Sequence, residues 1–175
     1  MTEIIGTLKE ITTECDIEKM RIWRNNPAVR TNMYTQHEIE REEHSAWWKK
    51  IKSNEKEKYF IYIDEDNIEC GIIAFNNINL KNKNSSWAFY SSPDAKKGVG
   101  RKMEKIAINY AFNILKLEKI YCEVLEFNLN VINLHKKFGF KIEGIFENQV
   151  NINNKWINVY RLGLLKKNYQ NKEIN

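Results

Sequence analysis

The chain is poor in the residues that interrupt or staple a fold. Its 175 residues include only 2 prolines, 7 glycines and 3 cysteines. With so little Pro and Gly, and with no repeat or low-complexity block, nothing divides it; it reads as one domain over residues 1–168 followed by a short polar tail at 169–175. Cys15, Cys70 and Cys122 are odd in number and far apart, which argues against a disulfide framework or a cysteine metal site and predicts reduced thiols. No stretch approaches the ~20 apolar residues needed to span a bilayer, and residues 1–5 lack the basic start and apolar stretch of a secretion signal. The expected setting is the cytoplasm, with no membrane partner and no metal.

Charge of one sign is also scarce. The 28 basic residues are set against 23 acidic ones, a net +5, and the two signs are mixed along the chain, which argues against a nucleic-acid partner. Hydrophobic residues make up 42%, enough for a substantial core.

The periodicities place the elements. A first strand is expected over 4–11 and a helix over 17–25, capped by Asp16 and ended by Pro27. A second helix covers 40–52. Strands over 59–64 and 68–80 form a hairpin around Glu65-Asp66-Asn67, and a fourth strand covers 85–90. A helix follows from Val99 with Met103, Ile106, Ala107, Tyr110, Ala111 and Ile114 at helical spacing. After a strand at 119–125 and a helix at 131–138, strands at 141–147 and 155–165 close the chain around Asn153-Asn154. Trp47 and Trp48 are neighbours on one helix and point about 100° apart, so at most one faces the core fully; the other either covers a helix flank or stacks on a base. Trp23, Trp87 and Trp156 read as core or interface residues.

Two places carry chemistry. The turn Lys96-Lys97-Gly98-Val99-Gly100-Arg101-Lys102 opens the long helix. The first amides of a helix lack partners and carry partial positive charge, so they suit a phosphate, and glycines allow close backbone approach. An ordinary solvated turn would look much the same. The spacing is neither a Walker loop nor a dinucleotide fingerprint. Downstream, Glu123 interrupts the apolar run Lys119-Ile120-Tyr121-Cys122-Glu123-Val124-Leu125. A carboxylate there is either a base or half of a structural ion pair at the strand's wet end. His135 shares one helix face with Val131, Leu134 and Phe138, where it is either a satisfied core residue or a catalyst.

Together these pieces resemble the Gcn5-related N-acetyltransferase (GNAT) superfamily. Its turn motif, Gln/Arg-x-x-Gly-x-Gly/Ala, is matched by Gly98 and Gly100, with Ala95 where Gln or Arg is usual. Its later motif, Asn-x-x-Ala-x-x-x-Tyr-x-x-x-Gly-Phe, is matched by Asn128, Gly139 and Phe140, with Val131 for the alanine and His135 for the tyrosine. The resemblance implies an α/β (α+β) single domain, a mixed and mostly antiparallel sheet of about seven strands with about four helices on both faces. It implies acetyl-CoA as co-substrate, bound by Phe89, Tyr90 and Ser91 of the fourth strand, by Lys96, Lys97, Gly98, Val99, Gly100, Arg101 and Lys102 of the turn, and by Asn128. A bulged fourth strand would turn a main-chain N–H near Tyr90 or Ser91 toward the acetyl carbonyl.

Within the superfamily, Trp23-Arg24-Asn25-Asn26-Pro27, Glu42-Glu43-His44 with Trp47-Trp48, Ser86-Trp87-Ala88-Phe89-Tyr90 and Tyr121-Cys122-Glu123-Val124 resemble the branch that acetylates UDP-4-amino-4,6-dideoxy sugars for pseudaminic acid. By that likeness Arg24, His44, Asn76, Asn77 and Tyr90 line the acceptor pocket. Glu123 is then the base, directly or through one water. The spacing from Glu123 to His135 matches that between base and acid in the ribosomal-protein acetyltransferases, so His135 is the candidate acid. Competing acceptors are peptides, polyamines and aminoglycosides, and a non-catalytic acyl-CoA sensor is the alternative of another class. Strands near the C-terminus offer an edge for a homodimer.

Overall fold

The structure, a computed structural model, describes residues 6–170; Ile4 and Ile5 of the expected first strand and residues 171–175 of the expected tail lie outside them. Seven strands form one sheet: β1 Thr7–Glu10, β2 Lys58–Ile63, β3 Glu69–Asn79, β4 Asn84–Ser91, β5 Lys119–Leu125, β6 Lys141–Ile152 and β7 Lys155–Leu165, in the order β1-β2-β3-β4-β5-β7-β6. Every pairing is antiparallel except β4 with β5. The mixed α/β sheet expected from the resemblance is present.

Alternation along the strands builds two cores. Phe60 and Tyr62 on β2 face one side and Ile61 the other, and register aligns Phe60 with Ile73 and Ile61 with Ile72. Period-2 patterning thus gives both sheet faces an apolar layer, and each requires a cover of helices. On one face, α1 (Glu14–Asn25) and α3 (Arg41–Ile51) pack Ile17, Met20, Trp23, Trp47 and Trp48 over Ile61 and Ile72. On the other, α4 (Val99–Asn109) and α5 (Leu129–Phe138) bury Val99, Met103, Ile106, Ala107 and Ile132 against Phe75, Trp87 and Ile120. The wider helical turn Tyr110–Ile114 prolongs α4 and closes with Leu115 N donating to Tyr110 O at 3.0 Å.

Six α-helices are present among the described residues, more than the four expected. Two are short. Pro27 opens α2 (Pro27–Arg30) instead of merely ending α1, because its fixed φ suits a first helical position and Asn26 Oδ1 accepts from Ala28 N at 3.0 Å. Lys166–Gln170 form α6, from which Tyr169 reaches the Phe112 ring, centroids 6.2 Å apart. α1 starts earlier than expected. Thr13 caps it, its Oγ1 accepting from Asp16 N at 3.1 Å, while Asp16 is buried and accepts from Lys9 Nζ at 2.8 Å.

The tryptophans follow expectation except Trp156, which is not in the core. Trp47 and Trp48 are both half-buried, their rings 5.4 and 5.9 Å from that of Tyr59. Trp87 is buried, but Trp156 is 60% exposed on the last hairpin. There β6 is the sheet edge and runs to Ile152, five residues past the expected stop, with its register shifted twice along β7.

One interruption positions the site. β4 and β5 pair only through Asn84, Ser85 and Ser86 with Lys119, Ile120 and Tyr121. Beyond them β4 continues along β3 to Ser91, and β5 along β7 to Leu125. The two strands part, and alternate main-chain groups on their facing edges are left without a ladder partner.

Candidate active site

A cavity of about 370 Å³ fills the gap between the parted strands. Trp87, Ala88, Phe89, Tyr90 and Ser91 line it from β4, Cys122, Glu123 and Val124 from β5, and Asn128, Val131 and His135 from the α5 region. Asn26, Ala28, Val29, Asn32 and Met33, from α2 and the segment after it, form the remaining wall.

Beside this opening lies the β4–α4 turn. Gly98 is the N-cap of α4 with φ +95°, a left-handed conformation that side-chain-bearing residues rarely take, and a Cβ there would meet nothing within 4 Å. Backbone dihedrals, not space, therefore require glycine at this position. Val99 N donates to Lys96 O and Arg101 N to Gly98 O. The amides of Lys97, Gly98 and Gly100 donate to no described residue. A Cβ on Gly100 would sit 3.5 Å from Phe89, ordinary contact. Two of the four basic side chains are engaged. Lys96 pairs with Asp66 at 2.9 Å and Lys102 with Glu65, both acids lying in the β2–β3 turn. Lys97 and Arg101 are exposed. Unpartnered amides at a helix start, with cationic side chains around them, fit a diphosphate.

Glu123 is not the buried carboxylate its sequence neighbours suggest. Its side chain is 35% exposed and is ion-paired. It faces Arg161 directly across the β5–β7 ladder; Arg161 Nη1 donates to Oε1 at 3.4 Å, and Tyr34 Oη donates to Oε2 at 2.7 Å. The Arg161 guanidinium stacks 3.5 Å over the Tyr121 ring, which fixes its plane. Burial and the adjoining Glu123 push the Tyr34 pKa up, so Tyr34 remains a donor.

His135 is 2% exposed, packed among the rings of Trp87, Phe89 and Phe140. Its Nδ1 lies 2.8 Å from Oε1 of Glu104, a fully buried α4 residue. Cys122, beside it on β5, is buried, and burial pushes its thiol pKa well above the usual range.

The acceptor-side residues expected from the resemblance divide. Tyr90 lines the cavity, yet its hydroxyl donates to Met20 O at 3.2 Å, and burial pushes its pKa up. Arg24, His44, Asn76 and Asn77 do not line it. Arg24 Nη2 donates to Thr35 O at 3.3 Å, while Nη1 is buried without a partner. His44 is buried on α3 beside Trp47, centroids 5.1 Å apart, and burial lowers its pKa. Asn76 donates to Tyr59 Oη at 2.6 Å and to Glu57. Asn77 is exposed and borders a separate depression with Asn79 and Leu80. The expected bulge near Tyr90 is also absent. The β3–β4 register is unbroken from Gly71 opposite Ser91 to Asn76 opposite Ser86, and shifts only between Asn76 and Asn79.

Asn26, Asn32, Met33, Tyr34, Arg161 and Glu104 were not foreseen. Asn26 had a signal, an Asn-Pro pair that begins a helix. Arg161 becomes legible once β7 is laid against β5. Tyr34 and Glu104 meet their partners only through tertiary packing.

The match to known proteins agrees with this geometry. Residues 9–160 match the Acetyltransferase (GNAT) domain family. The chain belongs to the GNAT acetyltransferases, enzymes that use acetyl-CoA. It is 32% identical to Acetyltransferase PseH of Campylobacter jejuni (strain 81-176) over 127 residues, 73% of this chain and 78% of that protein. To the spermidine N(1)-acetyltransferase of Escherichia coli K12 it is 26% identical over 117 residues, 66% of this chain and 62% of that one. The crystal structure of spermidine N-acetyltransferase from Vibrio cholerae in complex with CoA and spermine superposes with a TM-score of 0.85 at 24% identity, covering 94% of this chain and 97% of that one. No helix among the described residues is long and apolar enough to cross a membrane.

Proposed function

We propose that the acceptor is the primary amine of a nucleotide-linked amino sugar, a UDP-4-amino-4,6-dideoxy sugar of the pseudaminic acid type, acetylated by direct attack on acetyl-CoA. The supporting observation is the charge of the cavity wall. Glu123 is the single carboxylate that lines it, and Arg161 and Tyr34 already bond that carboxylate. A polyamine carries several cations and calls for several free carboxylates. A wall of Asn26, Asn32, Asn128, Ser91 and Ser92 offers instead amides and hydroxyls suited to a sugar. The identity to Acetyltransferase PseH leans the same way.

In this reading the turn amides hold the diphosphate of acetyl-CoA and the parted strands hold its acyl arm. Glu123, directly or through one water, takes the proton that the attacking amine must lose. Main-chain N–H groups of β4 near Tyr90 and Ser91 receive the charge that develops on the carbonyl oxygen. His135 protonates the departing sulfur. The same reading takes the enzyme as cytoplasmic and extends to a homodimer along the free edge of β6, where Ile142, Ile145 and Phe146 are exposed.

Thiol release from acetyl-CoA tests the proposal when UDP-4-amino-4,6-dideoxy sugars, spermidine, an aminoglycoside and an N-terminal peptide are compared. The amino sugar should give a kcat/KM at least about tenfold above every other acceptor, a margin of ~1.4 kcal/mol. Preference for spermidine would overturn the acceptor assignment, and no release with any amine would leave the acyl-CoA sensor.

A further inference from the structure

His135 stands where the family's motif has tyrosine, and the substitution has a companion. Glu104, on α4, is 0% exposed, with Oε1 2.8 Å from His135 Nδ1 and Oε2 buried without a partner. A sealed carboxylate with a bare oxygen is costly as an anion beside a neutral ring. The pair avoids that cost by keeping one proton between its two members and remaining neutral overall. Burial accordingly pushes the Glu104 pKa up, against the pull of the His135 hydrogen bond.

That proton has two seats. It rests on Oε1, donating to Nδ1, or on the ring, with Nδ1–H donating to the carboxylate. In either case Nε2 carries a hydrogen. Nε2 has no hydrogen-bond partner among the described residues and is not sealed from solvent, and His135 lines the cavity. We propose that Glu104 is a positioning residue that keeps a transferable proton on His135, so that the two side chains protonate the departing thiolate as one unit. This rests on the acyl-transfer reading above.

The step balances. As the amine nitrogen bonds the acetyl carbon and the C–S bond breaks, His135 gives the Nε2 hydrogen to sulfur. If the shared proton sat on Oε1, it passes to Nδ1. The pair ends as a neutral imidazole donating Nδ1–H to a carboxylate, and a proton from solvent restores it. The proton lost by the amine leaves through Glu123. Few other titratable groups face the pair. Cys122 on β5 stays a neutral thiol because burial raises its pKa, and Glu123 shares the cavity with its own partners, Arg161 and Tyr34. β4 presents the rings of Trp87 and Phe89, and the α5–β6 junction that of Phe140. Lys136 and Lys137, on the helix that carries His135, are exposed.

Two measurements test this. In protein labelled with 15N in its histidine rings, Nε2 of His135 should be protonated at pH 7; a bare Nε2 would overturn the proposal without any variant. Glu104→Gln keeps the shape but cannot hold the shared proton. Its kcat should fall about tenfold at pH 8, with the basic limb of the kcat profile moved to lower pH and KM for acetyl-CoA changed less than about twofold. In a His135→Tyr background the same substitution should leave the pH profile unmoved. An unchanged profile in Glu104→Gln alone defeats the inference, whereas wild-type protein that releases no thiol defeats the transfer reading and leaves the ring titration to be judged by itself.

Discussion

The turn beside the cavity and the cavity's outer wall are built on opposite principles. The β4–α4 turn presents unpartnered amides whose aim is fixed by a left-handed glycine and by the anchorage of α4 in the core. The wall formed by α2 and the segment after it presents side chains. That segment is held by remote hydrogen bonds: Asn25 exchanges two with Ile39, at 2.9 and 2.8 Å, and Arg21 Nη1 donates to Ile39 O at 2.9 Å. Main-chain recognition depends on a dihedral angle and little on side-chain identity. Side-chain recognition depends on where a loop is pinned, so it can change its ligand without changing the fold.

Three substitutions sharpen this contrast. The largest effect belongs to the chemistry in the cavity: Glu123→Gln should lower kcat by about 100-fold while acetyl-CoA affinity, measured by calorimetry, is retained. Loss of coenzyme binding in that variant would give Glu123 a structural role in the Arg161 pair and blur the division. Next comes the β4–α4 turn. Gly98→Val forces a β-branched residue into φ +95°, a cost of about 1–2 kcal/mol, so the Kd for coenzyme A should rise about 5–30-fold with KM for the amine unaltered. Wild-type affinity in Gly98→Val would show that the turn amides do not hold the diphosphate. The smallest effect is on the segment after α2. Tyr34 is 47% exposed, so water replaces much of its bond to Glu123, and Tyr34→Phe should cost only about threefold in kcat/KM for the amine. A change in coenzyme affinity instead would mean that turn and wall are coupled.

The same contrast explains what could be read in advance. The turn was legible because Gly98, in its left-handed conformation, is a local requirement of this helix start. The strands were legible because alternation such as Phe60, Ile61, Tyr62 encodes two buried faces. Arg24, His44, Asn76 and Asn77 were assigned by likeness of short stretches; packing engages the first three elsewhere, and Asn77 is exposed. Arg24 braces the segment at Thr35, His44 is sealed under α3, and Asn76 bonds Tyr59. Which polar group faces a cavity is decided by the loop that closes it, and no local pattern states that. Glu104 was invisible for a related reason: at position 104 a charged residue amid Met103, Ile106 and Ala107 is unremarkable until α5 brings His135 against it.

The opening between β4 and β5 consists of hydrogen bonds that are not made. A void defined by omission belongs to no particular side chain, so substitutions along its walls cannot easily close it. Its persistence passes instead through the seam at Asn84, Ser85 and Ser86, where the two strands are joined.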